Sequence, residues 1–389
     1  MKTVYLDNNA TTRMREEVLE AMLPFYEATY GNASSIHQFG RAARVAVDRA
    51  RQEVADLLGA ASPEEIIFTS GGTESDNFAV KGVAYALKKK GNHIITSAIE
   101  HSAILNASRA LEKDGYKVTY LPVDKHGLVD PDKVDKAITD KTILISIMYA
   151  NNEVGTIEPV NEIGAIAKSR GIYFHTDAVQ AIGKVPLEVK NMPVDLMSMS
   201  AHKIYGPKGV GAIYIRKSTK ISAIMHGGHQ EIGKRAGTEN VPGLVGLGKA
   251  AELAKIEVSQ EAKKLRELRD YLYKGITGSI PHTRLNGDPE KRLPNTVNIG
   301  FKYLEGESIM LNLDMEGIAV STGSACTSGT LEPSHVLTAM GVDAADAQGS
   351  IRFSLGRDNT KEEIDYVVSA LSPIIQRLRE MSPLYEKGK

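Results

Sequence analysis

Apolar positions change rhythm along the chain, and the rhythm divides it into elements. In residues 15–28 (REEVLEAMLPFYEA) and 40–58 (GRAARVAVDRARQEVADLL) they recur every three or four positions, which places one apolar stripe on a helix. Short β-rich runs follow: EIIFTS at 65–70, NHIITS at 92–97, KVTYLPV at 117–123, TILISIMY at 142–149, IYFHTDA at 172–178, VDLMSMS at 194–200 and GAIYIR at 211–216. Most lead through turn residues into another helical stretch. Strands alternating with helices predict a mostly parallel sheet covered on both faces. After a charged helix at 261–276 (EAKKLRELRDYLYKGI) the texture changes. Strand runs at 295–301, 317–323 and 350–356 mix with fewer helices, and one amphipathic helix over 360–381 closes the chain. The pattern predicts a large α/β domain over 15–255 and a smaller α+β domain over 256–389, with residues 1–14 packing on the smaller one.

Composition narrows the class. The chain has 389 residues with 42% apolar and 24% charged, ordinary for a globular protein and enough for a large core. A net charge of −1 gives no global attraction to nucleic acid or an anionic membrane. A single cysteine excludes an internal disulfide and any multi-cysteine metal site built by this chain alone. The start, MKTVYLDNNATT, turns polar too soon for a signal peptide, and no apolar run approaches the ~20 residues that span a bilayer, so a cytoplasmic location is expected.

Ligands of an open parallel sheet bind beyond the carboxyl ends of its strands, so chemistry is expected just after the strand runs. After EIIFTS comes GGTESDN, where Gly71 and Gly72 permit a tight turn, Thr73 adds a hydroxyl and a helix opens; such a turn suits phosphate, although it also serves as a plain helix cap. Asp177 and Gln180 follow IYFHT, where the aspartate suits a buried cationic nitrogen or, equally, an N-cap. His101 follows NHIITS, and Ser200, His202 and Lys203 end VDLMSMSAHK. A lysine at this edge can be desolvated and freed for Schiff-base chemistry, though a lysine beside a loop is usually a solvated surface charge. His226 and His229 have no third ligand at matching spacing, so no intrinsic metal is expected. The lone cysteine, Cys326, stands in STGSACTSG, a wet, glycine-flanked stretch suited to display rather than packing. Taken together, a phosphate cup, a ring partner, a carboxylate for a ring nitrogen and a Schiff-base lysine are what pyridoxal phosphate requires.

Nine blocks in order resemble the cysteine desulfurases of the NifS/IscS type, fold-type I pyridoxal-phosphate enzymes: YLDNNATT, TSGGTESDN, EHSAIL, NNEVGTI, HTDAVQAIGK, MSAHKIYGPKGVGA, HGGHQEIGKRAGTEN, STGSACTSGTLEPSHVL and SIRFSLGR. The resemblance implies a seven-stranded sheet in the large domain and a homodimer using pyridoxal 5′-phosphate. It makes Lys203 the Schiff-base residue, Asp177 the partner of the ring nitrogen, Gln180 the partner of the ring hydroxyl and His101 the residue stacked on the ring. Gly72, Thr73, Ser200 and His202 would hold the phosphate, completed by Thr238 from the partner subunit. Asn152 would orient ring hydroxyl and substrate, and Arg352 would clamp the substrate carboxylate. Cys326, on a loop over 321–333, would take sulfur from L-cysteine as a persulfide, leave L-alanine, and pass the sulfur to an iron–sulfur scaffold or other acceptor protein; it is also the one residue left open as a transient iron–sulfur ligand. Another fold-type I enzyme, such as a selenocysteine lyase or small aminotransferase, and a non-catalytic assembly scaffold are the competing readings.

Overall fold

The computed structural model describes residues 3–322 and 333–386. Cys326, and with it most of the expected cysteine loop, lies outside the described residues.

Seven strands form the main sheet: β1 (Ile66–Thr69), β2 (His93–Ser97), β3 (Lys117–Leu121), β4 (Thr142–Ser146), β5 (Tyr173–Asp177), β6 (Leu196–Ser200) and β7 (Gly211–Ile215). Their order is β1-β7-β6-β5-β4-β2-β3, and every pairing is parallel except those of β7. The mostly parallel α/β sheet expected from the alternating pattern is present. Because successive side chains leave a strand on opposite faces, the sheet feeds two cores. Ile66, Phe68, Ile95, Ile145, Phe174, Met197 and Tyr214 pack on one side with α1 (Gln38–Leu58). On the other side Ile67, Ile94, Leu144, Leu196 and Ile213 meet α2 (Gly72–Ala86) and α3 (Ser102–Lys113). Each such side chain contributes about 1.5–3 kcal/mol by leaving water.

The long helix α4 runs from Val241 to Ser279, starting 20 residues before the stretch its charge pattern predicts. Its first half is rich in glycine, which argues against helix in an isolated sequence. Packing reverses that preference. A Cβ on Gly248 would stand 2.6 Å from the Ala50 backbone, so the bare positions let α4 lie directly against α1. The same helix then gives Leu265, Leu272 and Ile276 to a separate core. There it meets an antiparallel sheet of β8 (Thr283–Asn286), β9 (Thr296–Phe301), β10 (Ser321–Thr322) and β11 (Ser350–Ser354), in the order β10-β11-β9-β8. The closing helix α5 (Lys361–Met381) begins with a capping box between Thr360 and Glu363.

Two predicted elements are divided. The helix over 15–28 breaks at Pro24 into Glu16–Met22 and Pro24–Glu27. The strand run at 317–323 splits into Ile318–Ala319, which pairs in parallel with Val4–Tyr5, and β10. From Val4 and Leu6 in the second core, the chain crosses to the main sheet, where the Thr12 amide and hydroxyl both donate to the His202 carbonyl. No helix among the described residues is long and apolar enough to cross a membrane.

Candidate active site

A cavity of about 340 Å³ opens beyond the carboxyl ends of β1, β5 and β6. Its phosphate-like corner is built from bare backbone. Gly71 stands at φ 152° and ψ −176°, a conformation open essentially to glycine, and a Cβ on Gly72 would meet the Val179 side chain at 2.8 Å. Ser200 faces this turn: its Oγ lies 3.8 Å from where a Cβ on Gly71 would stand. Thr73 and His202 also line the cavity. Burial pushes the His202 imidazole down to about 4, with Lys203, Lys208 and Lys184 adding to the push, so the ring is neutral near pH 7.

Asp177 ends β5, and its Oδ1 accepts from the Val179 amide at 2.9 Å. Burial pushes its carboxyl up, against the pull of His101, the Val179 amide and Lys203. Asp76 lines the same cavity, and burial followed by Asp177 pushes it well above the carboxylate range. Two buried carboxylates this close favour carrying one charge between them. The Asp76 Oδ1 is buried without a hydrogen-bond partner. His101 caps α3: its Nδ1 accepts from the Ala103 amide at 3.2 Å, leaving Nε2 as the ring nitrogen that can donate.

Lys203 follows β6 on a short turn, and its Nζ donates to the main-chain carbonyls of Asn9 and, at 2.8 Å, Ala10. Gln180 Nε2 donates to the same Asn9 carbonyl at 3.0 Å. Arg352 enters from β11, in the middle of the other sheet. Its Nη2 pairs with Asp7 at 2.8 Å, its Nη1 donates to the Asn152 carbonyl at 3.1 Å, and its buried Nε has no hydrogen-bond partner.

The cavity thus gathers every expected site residue except two. Thr238 lines a separate recess beside Ser70, Gly209 and Glu239, and Cys326 lies outside the described residues. The flanks of the cysteine segment are nevertheless fixed. Ser321 pairs with Arg352 in the β10–β11 ladder, and the Ser334 hydroxyl donates to Glu153 at 2.5 Å, beside Asn152. Burial pushes that Glu153 carboxyl up to about 7, against Ser334 and Arg352. Sequence reasoning gave no role to Asn9 or Asp76. Asp76 was within reach, since it follows Gly72 by four positions and shares its helix face. Asn9 carried no such signal, because its place depends on the crossing of the first strand.

The donor set suits pyridoxal phosphate: a backbone cradle with hydroxyls for the phosphate, a buried carboxylate for a cationic ring nitrogen, and an amine at the sheet edge. Comparison with known proteins agrees. The aminotransferase class-V family model matches residues 4–367, which makes this a pyridoxal-phosphate enzyme fold. Cysteine desulfurase IscS of Dictyoglomus turgidum is 57% identical over 388 residues, covering 100% of this chain and 98% of that protein. Its counterpart from Methanosarcina thermophila is 58% identical over 386 residues, with 99% and 95% covered. A solved NifS-like protein superposes with a TM-score of 0.91 at 44% identity, covering 97% of this chain and 100% of that one. The chain belongs to the cysteine desulfurases of the IscS type, within the class-V aminotransferases.

Proposed function

We propose that the chain takes sulfur from L-cysteine, releases L-alanine, and holds the sulfur as a persulfide on Cys326 for an acceptor protein in iron–sulfur cluster assembly or tRNA thiolation. The observation that carries this reading is the rooting of both flanks of the cysteine segment at the cavity, through Ser321 on Arg352 and Ser334 on Glu153. Bound pyridoxal phosphate supplies an electron sink that loosens the α-proton and sulfur of an amino acid. The protein supplies the rest. The Gly72 amide, Thr73, Ser200 and neutral His202 would hold the phosphate at the positive end of α2, and Thr238 of a second copy would complete the cup. Asp177 would pair with the ring nitrogen, Gln180 and Asn152 would serve the ring oxygen, and His101 would contact the ring. Lys203 Nζ carries the α-proton, while the unpartnered Nε side of Arg352 receives the substrate carboxylate.

Cys326 acts as a thiolate on the substrate sulfur. The substrate C–S bond breaks and an S–S bond forms, so cysteine plus the Cys326 thiol gives alanine plus the persulfide, with no external oxidant. A thiol kept for this work belongs in a reducing compartment, which supports a cytoplasmic location. A homodimer is supported by the exposure of Tyr26, Tyr30, Ile36 and Phe39, and of Met225 and Ile232 on the segment leading to Thr238. Cys326→Ser tests the reading. The variant is expected to keep cofactor and bind L-cysteine, yet release no alanine and form no persulfide. Normal alanine release would falsify it.

A further inference from the structure

Among the described residues Lys184 is the only buried lysine, and the roles assigned above do not use it. Its Nζ donates to Gln180 Oε1 at 2.8 Å and to Asn9 Oδ1 at 3.4 Å, two side-chain amides rather than carboxylates. Burying an ammonium on neutral partners is costly, so a lysine here needs a reason beyond stability.

The reason lies in what an ammonium can do, which is donate only. It obliges Gln180 to turn Oε1 inward, so that Nε2 is the edge left to donate; in this structure it donates to the Asn9 carbonyl that also receives Lys203 Nζ. It orients Asn9 in the same way. Asn9 Oδ1 accepts from Lys184 and from Asn295 Nδ2 at 3.0 Å, and Asn9 Nδ2 is left to donate to Thr296 Oγ1 at 2.9 Å and the Asn152 carbonyl at 3.1 Å. That carbonyl holds Arg352 Nη1. One buried amine therefore sets the direction of a hydrogen-bond chain ending at Lys203, Gln180 and Arg352.

Charge adds a second effect. Burial pushes the Lys184 ammonium down to about 7, so the charged, donate-only form prevails below that pH and fades above it; Lys203 and Arg352 push the same way, and Glu261 on α4 opposes them. Glu261 is itself pushed up by burial and accepts from the Tyr205 hydroxyl at 2.5 Å. His202 feels Lys184 as a further positive neighbour.

We propose that Lys184 is a positioning residue of the cofactor cavity: it locks Gln180 as a donor toward the cofactor's ring oxygen, and its charge disfavours a second charge at Lys203 Nζ. This rests on pyridoxal phosphate occupying the cavity, so the experiment begins with the unaltered protein stripped of cofactor and titrated with pyridoxal phosphate. Two quantities are read, the Kd and the pH midpoint of the visible absorption band. Failure of the unaltered protein to bind overturns the functional reading and this inference with it; binding leaves the variants to decide. Lys184→Met is expected to weaken Kd about tenfold and to move the midpoint up by about 0.5–1 unit. Lys184→Gln, which can still donate but carries no charge, is expected to keep Kd within about threefold and to show the same midpoint shift. Lys184→Arg, which keeps the charge, is expected to leave the midpoint in place. An unmoved midpoint in Lys184→Gln overturns the charge effect, and an unchanged Kd in Lys184→Met overturns the lock. Should Lys184→Met not fold, Gln180→Leu reads the lock instead, and a Kd equal to that of the unaltered protein overturns it.

Discussion

The two sheets contribute to one cavity by different routes. The seven-stranded sheet delivers Asp177, Ser200 and the turn at Gly72 from the carboxyl ends of its strands, where the chain leaves the sheet and side chains are free to serve a ligand. The four-stranded sheet delivers Arg352 from inside β11, with Asn298 and Ser321 as ladder partners on either side. In the proposed reading, groups at strand ends would hold the cofactor and the group in mid-strand would grip the substrate. The division of labour is open to attack from both sides.

The largest effect is expected on the cofactor side. Lys203→Ala should lower alanine release by at least about a thousandfold, while the Gly72 turn and Asp177 still retain cofactor. Mixing that chain with a Thr238→Ala chain tests whether the cup is shared. Mixed dimers should then contain one intact site and exceed the average of the parents; no gain would place all site residues within one chain. On the other sheet, Arg352→Lys keeps the charge but loses the planar fork. Its KM for L-cysteine should rise about 10–100-fold with the cofactor spectrum unchanged, and a loss of cofactor instead would erase the distinction between the sheets.

The smallest effect concerns stability at the junction. Burial pushes the Glu100 carboxyl up to about 8 from 4.5, against its bonds from Ser97 and the Met148 amide. The fold therefore favours the protonated acid: the stability this confers is complete below the ordinary value and is lost as pH rises through about 8. Glu100→Gln should melt with the unaltered protein at about pH 5 and about 2–4 °C above it at about pH 9. Equal melting at both values would show that this carboxyl is not held protonated.

The same contrast explains what could be read from sequence. Strand-end residues were legible because apolar runs mark where each strand stops: Asp177 and Ser200 end their strands and Lys203 falls just past the second. Arg352 carried no such mark, since nothing in SIRFS separates a structural arginine from a clamp, and it entered only through resemblance. Thr238 was legible only as part of a motif, because its own chain leaves it in a different recess. Lys184 lies within HTDAVQAIGK, but a lysine in sequence reads as a surface charge and carries no sign of a buried role. The fold was read with similar unevenness. Alternation predicted the main sheet, but the glycines at the start of α4 hid half of it, since their value appears only once α1 is packed alongside.

The crossing of the first strand bears on how the protein is made. Asn8 and Asn9 bond to Ser354, 346 and 345 positions further along the chain, and Thr12 bonds to His202, so the wall of the cavity joins segments far apart in sequence. Such contacts lie at the far end of sequence separation, where loop closure is slow and local structure gives no help. The main sheet has all its strands once residue 215 has left the ribosome, yet the carbonyls that hold Lys203 cannot be fixed in place by Ser354 until residue 354 has followed. Completion of the site is thereby deferred until residue 354 has been made, and a chain stopped between residues 215 and 354 is left with a sheet but an unfinished site.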